Sequence, residues 1–272
     1  MRIRNLSFAQ FTSANLVITG LVLTGLIAPA FAASDADIAK AEQAMSAKDY
    51  NTAITVLETA LQNDPDNIRL GSDYRQAIMR KSIAAHPKEG SPLDFDRCIT
   101  FFEKVVAAHP NAATAYLNYG FCSVDKIPAA GSITQVLLAN AALTQFSKSI
   151  EIKPSWIALY TRGNSYLYWP VIFGKAGLGV ADLERAYAMQ KTEPTRAYHQ
   201  RLYISLGDGY WKQDNIEKAR AIWKEGLSKF PDSKQIKARL DRKDDDLKSY
   251  IDDQLDPNKR VDTDLHEIWE AK

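Results

Sequence analysis

The fold class is decided by two neighbouring stretches, "YISLGDGYW" at residues 203–211 and "ARAIWKEGLSKFP" at residues 219–231. In both stretches, small and large apolar residues recur three or four positions apart, which places them on one face of a helix. These residues are Tyr203, Leu206, Gly207 and Tyr210 in the first stretch and Ala219, Trp223 and Gly226 in the second. Small residues let a second helix approach closely, so the two stretches predict a tightly packed helix pair.

The glycine pair Gly207 and Gly209 also raises the alternative of a phosphate-binding loop. A glycine-rich loop of that kind follows a strand and opens a helix. Here the two glycines lie inside a helical pattern, so a nucleotide site is not expected. Gly209 falls outside the apolar pattern, and we expect it only to cost helix stability, by about 1 kcal/mol relative to alanine.

Similar segments recur along the chain, and each is followed by a proline. Related small–large–small patterns occur in "DYNTAITVLETALQNDP", "DFDRCITFFEKVVAAHP", "ANAALTQFSKSIEIKP" and "NIEKARAIWKEGLSKFP". Proline commonly follows the end of a helix. The quoted segments end at Pro65, Pro110, Pro154 and Pro231, and Pro194 continues the same spacing between the last two. This regular spacing predicts a chain built from repeated helix pairs.

The unit that ends at Pro231 resembles the tetratricopeptide repeat, W-x2-L-G-x2-Y…A-x3-F…P, nearly residue for residue. Weaker matches precede it, and together they span about residues 35–240. The resemblance implies an all-α superhelix (solenoid) of about five helix pairs with a C-terminal capping helix. It also implies a protein that binds partners. The units exceed the family's usual 34 residues because of extra segments at 86–93, 125–134 and 169–179.

Residues 1–32 have the features of a signal peptide. Arg2 and Arg4 precede an apolar run at residues 16–27, and Ala30-Phe31-Ala32 fits the small-x-small cleavage rule. We therefore expect cleavage after Ala32 and a periplasmic or secreted protein. A membrane anchor fits less well, because the run is shorter than the roughly 20 residues of a span.

The expected organisation is a signal peptide at 1–32, a repeat domain at 35–240 and a charged helix and tail at 241–272. Without the leader, 32 basic residues stand against 33 acidic ones, which gives no bulk attraction to nucleic acid. The tail contains apolar residues that look exposed, namely Val261, Leu265, Ile268 and Trp269.

Catalytic and metal-binding motifs are not found in the sequence. It has no C-x-x-C, H-E-x-x-H, G-x-S-x-G or P-loop pattern. His86 and His109 each lie in "AAHP", where a histidine in the last turn of a helix meets the negative end of the helix dipole. We expect no catalytic residue, no metal site and no cofactor, and therefore no enzyme.

The two cysteines leave two readings open. Cys98 and Cys122 lie at equal distances on either side of Pro110, so an antiparallel helix pair would bring them to the same height. A disulfide there would stabilise the fold by about 3 kcal/mol. Alternatively, both stand where the repeat usually has alanine and are merely small buried residues.

The resemblance also implies a binding surface along the concave side, on the first helix of each pair. The matching positions are Leu117, Phe121, Tyr160, Asn164, Tyr168, Asp208 and Trp211. Some of the aromatic residues could instead pack between helices. Asn164 and Asp208 are polar residues on an apolar face and therefore need a partner.

The long loops suggest a second surface, since all three would emerge at the same edge of the array. Trp169 and Phe173 would lie near Ile127, Pro128 and Ile133, with Lys88, Lys126 and Lys175 around them. Such a patch suits a protein or an anionic amphiphile. The alternative is that the loops bury their own side chains.

These features are consistent with two functions. The first is a non-catalytic periplasmic scaffold that binds another protein or peptide, with no nucleic acid and no stable membrane anchor. The second is a solute-binding or transport-accessory protein that holds a small ligand in the groove of the superhelix.

Overall fold

The structure, a computed structural model, describes residues 30–85, 95–259 and 263–270. Within these ranges the chain forms thirteen α-helices and no β-strand. The helices are α1 Ala30–Ser46, α2 Tyr50–Asn63, α3 Ile68–Ala85, α4 Asp96–Ala108, α5 Ala113–Lys126, α6 Ser132–Ile152, α7 Trp156–Leu167, α8 Ala176–Gln190, α9 Gln200–Lys212, α10 Ile216–Lys229, α11 Lys234–Asp241, α12 Asp244–Gln254 and α13 Glu267–Glu270. In the same ranges, no helix has the length and apolarity needed to cross a membrane.

The first ten helices pack as five consecutive pairs, and α11 follows the last pair. The predicted all-α solenoid of five helix pairs with a capping helix is therefore confirmed. The recurring prolines follow the second helices of the pairs, with Pro65 just after α2 and Pro231 just after α10. The leader lies outside the described residues except at Ala30–Ala32, where α1 begins.

In two of the pairs, α5–α6 and α9–α10, the helices touch where a glycine faces a large side chain. A Cβ atom at Gly207 would lie 2.0 Å from Nε1 of Trp223, and one at Gly120 would lie 2.3 Å from the ring of Phe146. Neither distance is compatible with a side chain at the glycine position, so both contacts require the small residue. The expected role of Gly207 as a point of close helix approach is present in the structure.

Gly209 also has a packing role, which corrects the expectation that it only weakens α9. A Cβ atom at this position would lie 2.8 Å from Cγ2 of Val180, on the preceding helix α8. Gly207 and Gly209 thus accommodate two different neighbours, Trp223 from its own pair and Val180 from the pair before. The sequence pattern covered only contacts inside one pair, so it missed the second.

The buried side chains form two clusters along the array. One contains Ile38, Phe102 and Cys122 and spans α1 to α5, and the other contains Phe146, Trp223 and Ile251 and continues into the C-terminal region. Cys98 and Cys122 are joined by a disulfide with a Cα–Cα distance of 5.7 Å. The disulfide links the second helix of one pair, α4, to the first helix of the next, α5.

The C-terminal tail does not extend into solvent. Leu265 is only 6% exposed and belongs to the second cluster, against which Ile268 and Trp269 also pack. The expectation that these residues are exposed is therefore wrong, because the tail folds back onto the array. Val261 lies outside the described residues.

We expect Gly207→Ala to lower the free energy of unfolding by about 1–3 kcal/mol, because the new methyl group overlaps Trp223. Gly177→Ala is the matched control. It is a helical glycine whose Cβ would meet only a flexible glutamine side chain, at 3.2 Å from Nε2 of Gln213. This control should be neutral or slightly stabilising. Urea unfolding of both variants measures the difference, and equal stabilities would contradict the close approach.

Candidate functional site

A cleft of about 790 Å³ lies on the side of the array formed by the first helices of the later pairs, α5, α7 and α9. The N-terminal half of α6 and the loop around Trp169 continue its wall. The opposite wall is made by α11, by the end of α12 and by residues 263–268. The cleft therefore lies between the repeat array and the C-terminal part of the chain.

Most of the residues expected to bind a partner line this cleft. They are Phe121, Tyr160, Asn164, Tyr168, Trp169, Phe173 and Asp208. The structure places Leu117 in the core instead, 2% exposed and in the same cluster as Phe146. Trp211 lies in a separate depression, which it shares with Lys243 and Leu247 at the start of α12.

The two polar residues on the apolar face find their partners inside the chain. Asp208 accepts two hydrogen bonds from Arg239 of α11, at 2.6 and 2.7 Å, and both side chains are 2% exposed. Asn164 accepts a hydrogen bond from the hydroxyl of Ser205 at 2.8 Å. The need for a partner was correctly inferred, but an external partner is not required to meet it.

The aromatic residues of the cleft are held by packing. Trp156 stacks on Tyr160 with ring centroids 5.0 Å apart, and its Nε1 donates to Gln190 at 3.1 Å. Burial raises the pKa of the Tyr168 hydroxyl to about 12, so this group stays protonated at neutral pH and can donate a hydrogen bond. The cleft thus offers rigid aromatic surfaces with fixed polar groups beside them.

Exposed apolar side chains concentrate on two segments beside the cleft. In the described part of the chain, nine large hydrophobic residues are exposed, and seven of them lie in 133–137 or 171–178. We call these seven the apolar edge: Ile133, Val136, Leu137, Val171, Ile172, Phe173 and Leu178. Val136 and Phe173 both line the cleft, so the two segments border the same opening.

The cations expected around this edge are only partly available. Lys175 lies 5.9 Å from the centre of the Trp169 ring, whereas Lys126 pairs with Asp96. Lys88 lies outside the described residues. Ile127 and Pro128 line the cleft with Trp169 and Phe173, as the shared edge of the long loops led us to expect.

Residues 263–270, called here the C-terminal segment, are held by a buried polar cluster that the sequence did not suggest. Arg75 of α3 is fully buried and donates to Asn118 at 3.0 Å, to Asp125 at 3.3 Å and to the backbone oxygen of Thr263 at 2.8 Å. The hydroxyl of Thr263 donates to Asp125, and the backbone N–H of Leu265 donates to Ser72 at 3.2 Å.

Further along, the C-terminal segment is held by contacts nearer the surface. Arg201 makes a two-pronged ion pair with Glu267, with both N–O distances at 3.1 Å. The guanidinium of Arg69 lies 5.9 Å from the centre of the Trp269 ring. These side chains come from helices α3 and α9, so the segment crosses several repeats.

Comparison with known proteins identifies the fold. No protein-family model matches this sequence, and no curated protein sequence matches it. Among solved structures, the chain is similar to TTC0263, a thermophilic TPR protein of Thermus thermophilus. The two are 16% identical, the match covers 76% of this chain and 97% of the other, and the TM-score is 0.52. The chain has the tetratricopeptide-repeat fold.

Other tetratricopeptide-repeat-like matches are more distant. MamA is 16% identical over 78% of this chain and 96% of its own, with a TM-score of 0.47. PilW, a widely conserved type IV pilus biogenesis factor, is 15% identical over 76% of this chain and 98% of its own, with a TM-score of 0.42.

Asp73 connects the repeat array electrostatically to the C-terminal segment. Burial raises the pKa of its carboxyl to about 6, with Arg69 opposing the shift and Glu42 and Asp264 adding to it. Its Oδ2 atom lies 3.7 Å from Nε of Arg69. The native state therefore binds this proton more tightly than the unfolded chain does, and its stability falls as pH rises from about 4 through 6.

We expect Asp73→Asn to be more stable than the wild type at about pH 8, by about 1–2 kcal/mol, because it removes a buried charge. This advantage should shrink at about pH 5, where the wild-type carboxyl is protonated in the native state. Urea unfolding at both pH values measures it, with Asp232→Asn on the exposed surface as the control. A stability difference that does not change with pH would refute the assignment.

Proposed function

We propose that this protein is a non-catalytic scaffold of the periplasm that captures a protein partner at the apolar edge. The observation that carries the proposal is the concentration of exposed apolar side chains on two segments at one opening. Ile172 is 89% exposed and Ile133 is 81% exposed. Exposing such apolar side chains to water is unfavourable in free energy, and a partner that covers them would remove this cost. Contiguous exposed apolar surface of this kind marks interaction sites.

The chemistry of the edge favours a protein as the partner. The aromatic rings of Trp169 and Phe173 meet edge to face at 5.6 Å beside exposed aliphatic residues. Aromatic anchors in an apolar centre are typical of the residues that dominate protein–protein binding. The tetratricopeptide-repeat fold supplies a rigid support on which such loops keep their positions.

The periplasmic location is supported by the leader in the sequence and by the disulfide. Arg2, Arg4 and the apolar run at 16–27 are typical of exported chains, and Ala32 ends a cleavage motif. Disulfides persist in oxidising compartments such as the periplasm. We infer that the mature protein begins after Ala32.

A second candidate function is favoured by the cleft itself. Its volume of about 790 Å³ lies within the range of small-molecule sites. Tyr160, Tyr168 and Asn164 bring aromatic surfaces and a polar group to one place. Under this alternative, native mass spectrometry of the purified protein would show a retained small molecule, and substitutions of Ile133 and Ile172, which do not line the cleft, would leave that molecule bound.

We expect Ile172→Asp with Phe173→Ala to reduce partner capture by at least about tenfold, because both side chains would lose apolar contact with the partner. Both are more than half exposed, so thermal stability should hardly change. The matched control is Ile83→Asp with Ile216→Asp, two exposed residues outside the edge. Affinity capture from periplasmic extract, quantified by mass spectrometry, compares the variants, and equal loss in both would refute binding at the edge.

The location is tested separately by fractionation and intact-mass analysis. The protein should appear in the periplasmic fraction with Ala33 as its first residue, because signal peptidase cleaves after small residues. After alkylation without reduction, neither Cys98 nor Cys122 should carry the label. A chain that keeps residues 1–32 and carries two labelled thiols would contradict export.

A further inference from the structure

The C-terminal segment lies in the groove as a bound peptide would, with residues 263–265 in no regular secondary structure and residues 267–270 in the short helix α13. Thr263, Leu265, Glu267 and Trp269 each meet the repeat array, and Ile268 packs against the same core. Several of the contacts use backbone groups, namely the oxygen of Thr263 and the N–H of Leu265. A groove that binds backbone groups and several side chains of one short segment can recognise a segment of another polypeptide.

The outer contacts of the segment are weak, which would allow it to leave the groove while the repeat array stays folded. The Arg201–Glu267 pair is 36% and 40% exposed, and exposed ion pairs contribute at most about 1 kcal/mol. The cation–ring distance at Trp269 is 5.9 Å, close to the outer limit for such contacts. Among the residues of the segment that contact the array, Leu265 is the one large apolar residue that is less than a tenth exposed.

Departure of the segment leaves a polar site that is still organised. Arg75 retains its contacts to Asn118 and Asp125, so its charge stays compensated. Water can replace the two groups that Thr263 provides, at a modest cost in free energy. The vacated groove would then present a fixed guanidinium, a carboxylate and the Ser72 hydroxyl to an incoming chain.

We propose that the C-terminal segment is an internal occupant of the groove, and that a segment of a partner protein with the same chemistry displaces it. The chemistry is a hydroxyl residue, an aliphatic residue, an acidic residue and an aromatic residue at alternate positions. They meet Asp125, the core beneath Leu265, Arg201 and Arg69 respectively. This goes beyond capture at the apolar edge, because it concerns a different surface.

The two surfaces are nevertheless adjacent. Thr263, Leu265 and Ile268 line the same cleft as Val136 and Phe173. Displacement of the segment would therefore enlarge the cleft beside the edge. Only a fraction of the molecules have an empty groove at any moment. The docked segment therefore lowers the apparent affinity for a partner in proportion to that fraction.

The test uses a fluorescein-labelled synthetic peptide, "TDLHEIWE", with the sequence of residues 263–270. Fluorescence anisotropy measures its binding to three full-length proteins. In Leu265→Asp with Trp269→Asp, the protein's own segment is undocked, and this variant should bind the peptide at least about tenfold more tightly than the wild type. The control, Ile133→Asp with Ile172→Asp, makes the same chemical change on the exposed edge and should behave like the wild type.

A milder variant covers the case in which the double substitution fails to fold. Glu267→Lys reverses one side of a half-exposed ion pair and should also bind the peptide more tightly than the wild type does. A peptide with lysine at the position of Glu267 should bind the undocked variants more weakly, because it repels Arg201. Arg201→Glu, added to the variant Leu265→Asp with Trp269→Asp, should restore binding of the lysine-containing peptide.

Three results would overturn the proposal. Equal peptide affinity for wild type and folded undocked variants would show that the segment does not compete. Peptide that fails to bind any folded undocked variant would show that the groove does not recognise this chemistry in trans. Dimers of the wild type that disappear in Glu267→Lys would make a second copy of the chain the occupant. None of these results bears on capture at the apolar edge, which its own variants test.

Discussion

Close contact between a glycine and a large side chain sets the spacing of two of the helix pairs. Gly207 of α9 meets Trp223 of α10, and Gly120 of α5 meets Phe146 of α6, so these two pairs close to a distance that no other residue would allow. Gly209 extends the constraint to Val180 of the preceding pair. The first helices of these pairs line one side of the array, and the cleft lies there.

The groove that results is completed by the end of the same chain. α11 is tied to α9 by the buried Asp208–Arg239 pair, and α12 buries Leu247 and Ile251 in the shared core. From there the chain returns to the array, where Arg75 binds the backbone of Thr263. The C-terminal region therefore forms one wall of the cleft, and the proposed binding surface is bounded by both the repeat array and the end of the chain.

The sequence predicted those features that depend on local spacing. Residues three or four apart, such as Gly207 and Tyr210, share a helix face whatever the rest of the chain does, so the helix pairs could be inferred from them. The extra segments at 125–134 and 169–179 lie between the first and second helices of their pairs, as the repeat pattern predicted, whereas 86–93 lies outside the described residues. The position of the loops also led to the prediction that Trp169 and Phe173 lie at one edge of the array, and in the structure both line the cleft.

Contacts between distant parts of the chain were not predictable in this way. Arg75 and Thr263 are 188 residues apart, and neither stands in a pattern that marks the other. Asp208 was recognised as needing a partner, but its partner, Arg239, lies in a helix outside the repeat pattern. Leu265 looked exposed because a few apolar residues in a charged tail give no sign of the surface that covers them.

The central claim is that the concave groove is occupied by the protein's own C-terminal segment. Amide hydrogen exchange of the wild-type protein at neutral pH tests this most directly. The account predicts that the amide of Leu265, bonded to Ser72, and that of Ile268, bonded to the backbone oxygen of Leu265, exchange much more slowly than in the free peptide. Exchange of both amides at the rate of an unstructured chain would contradict it.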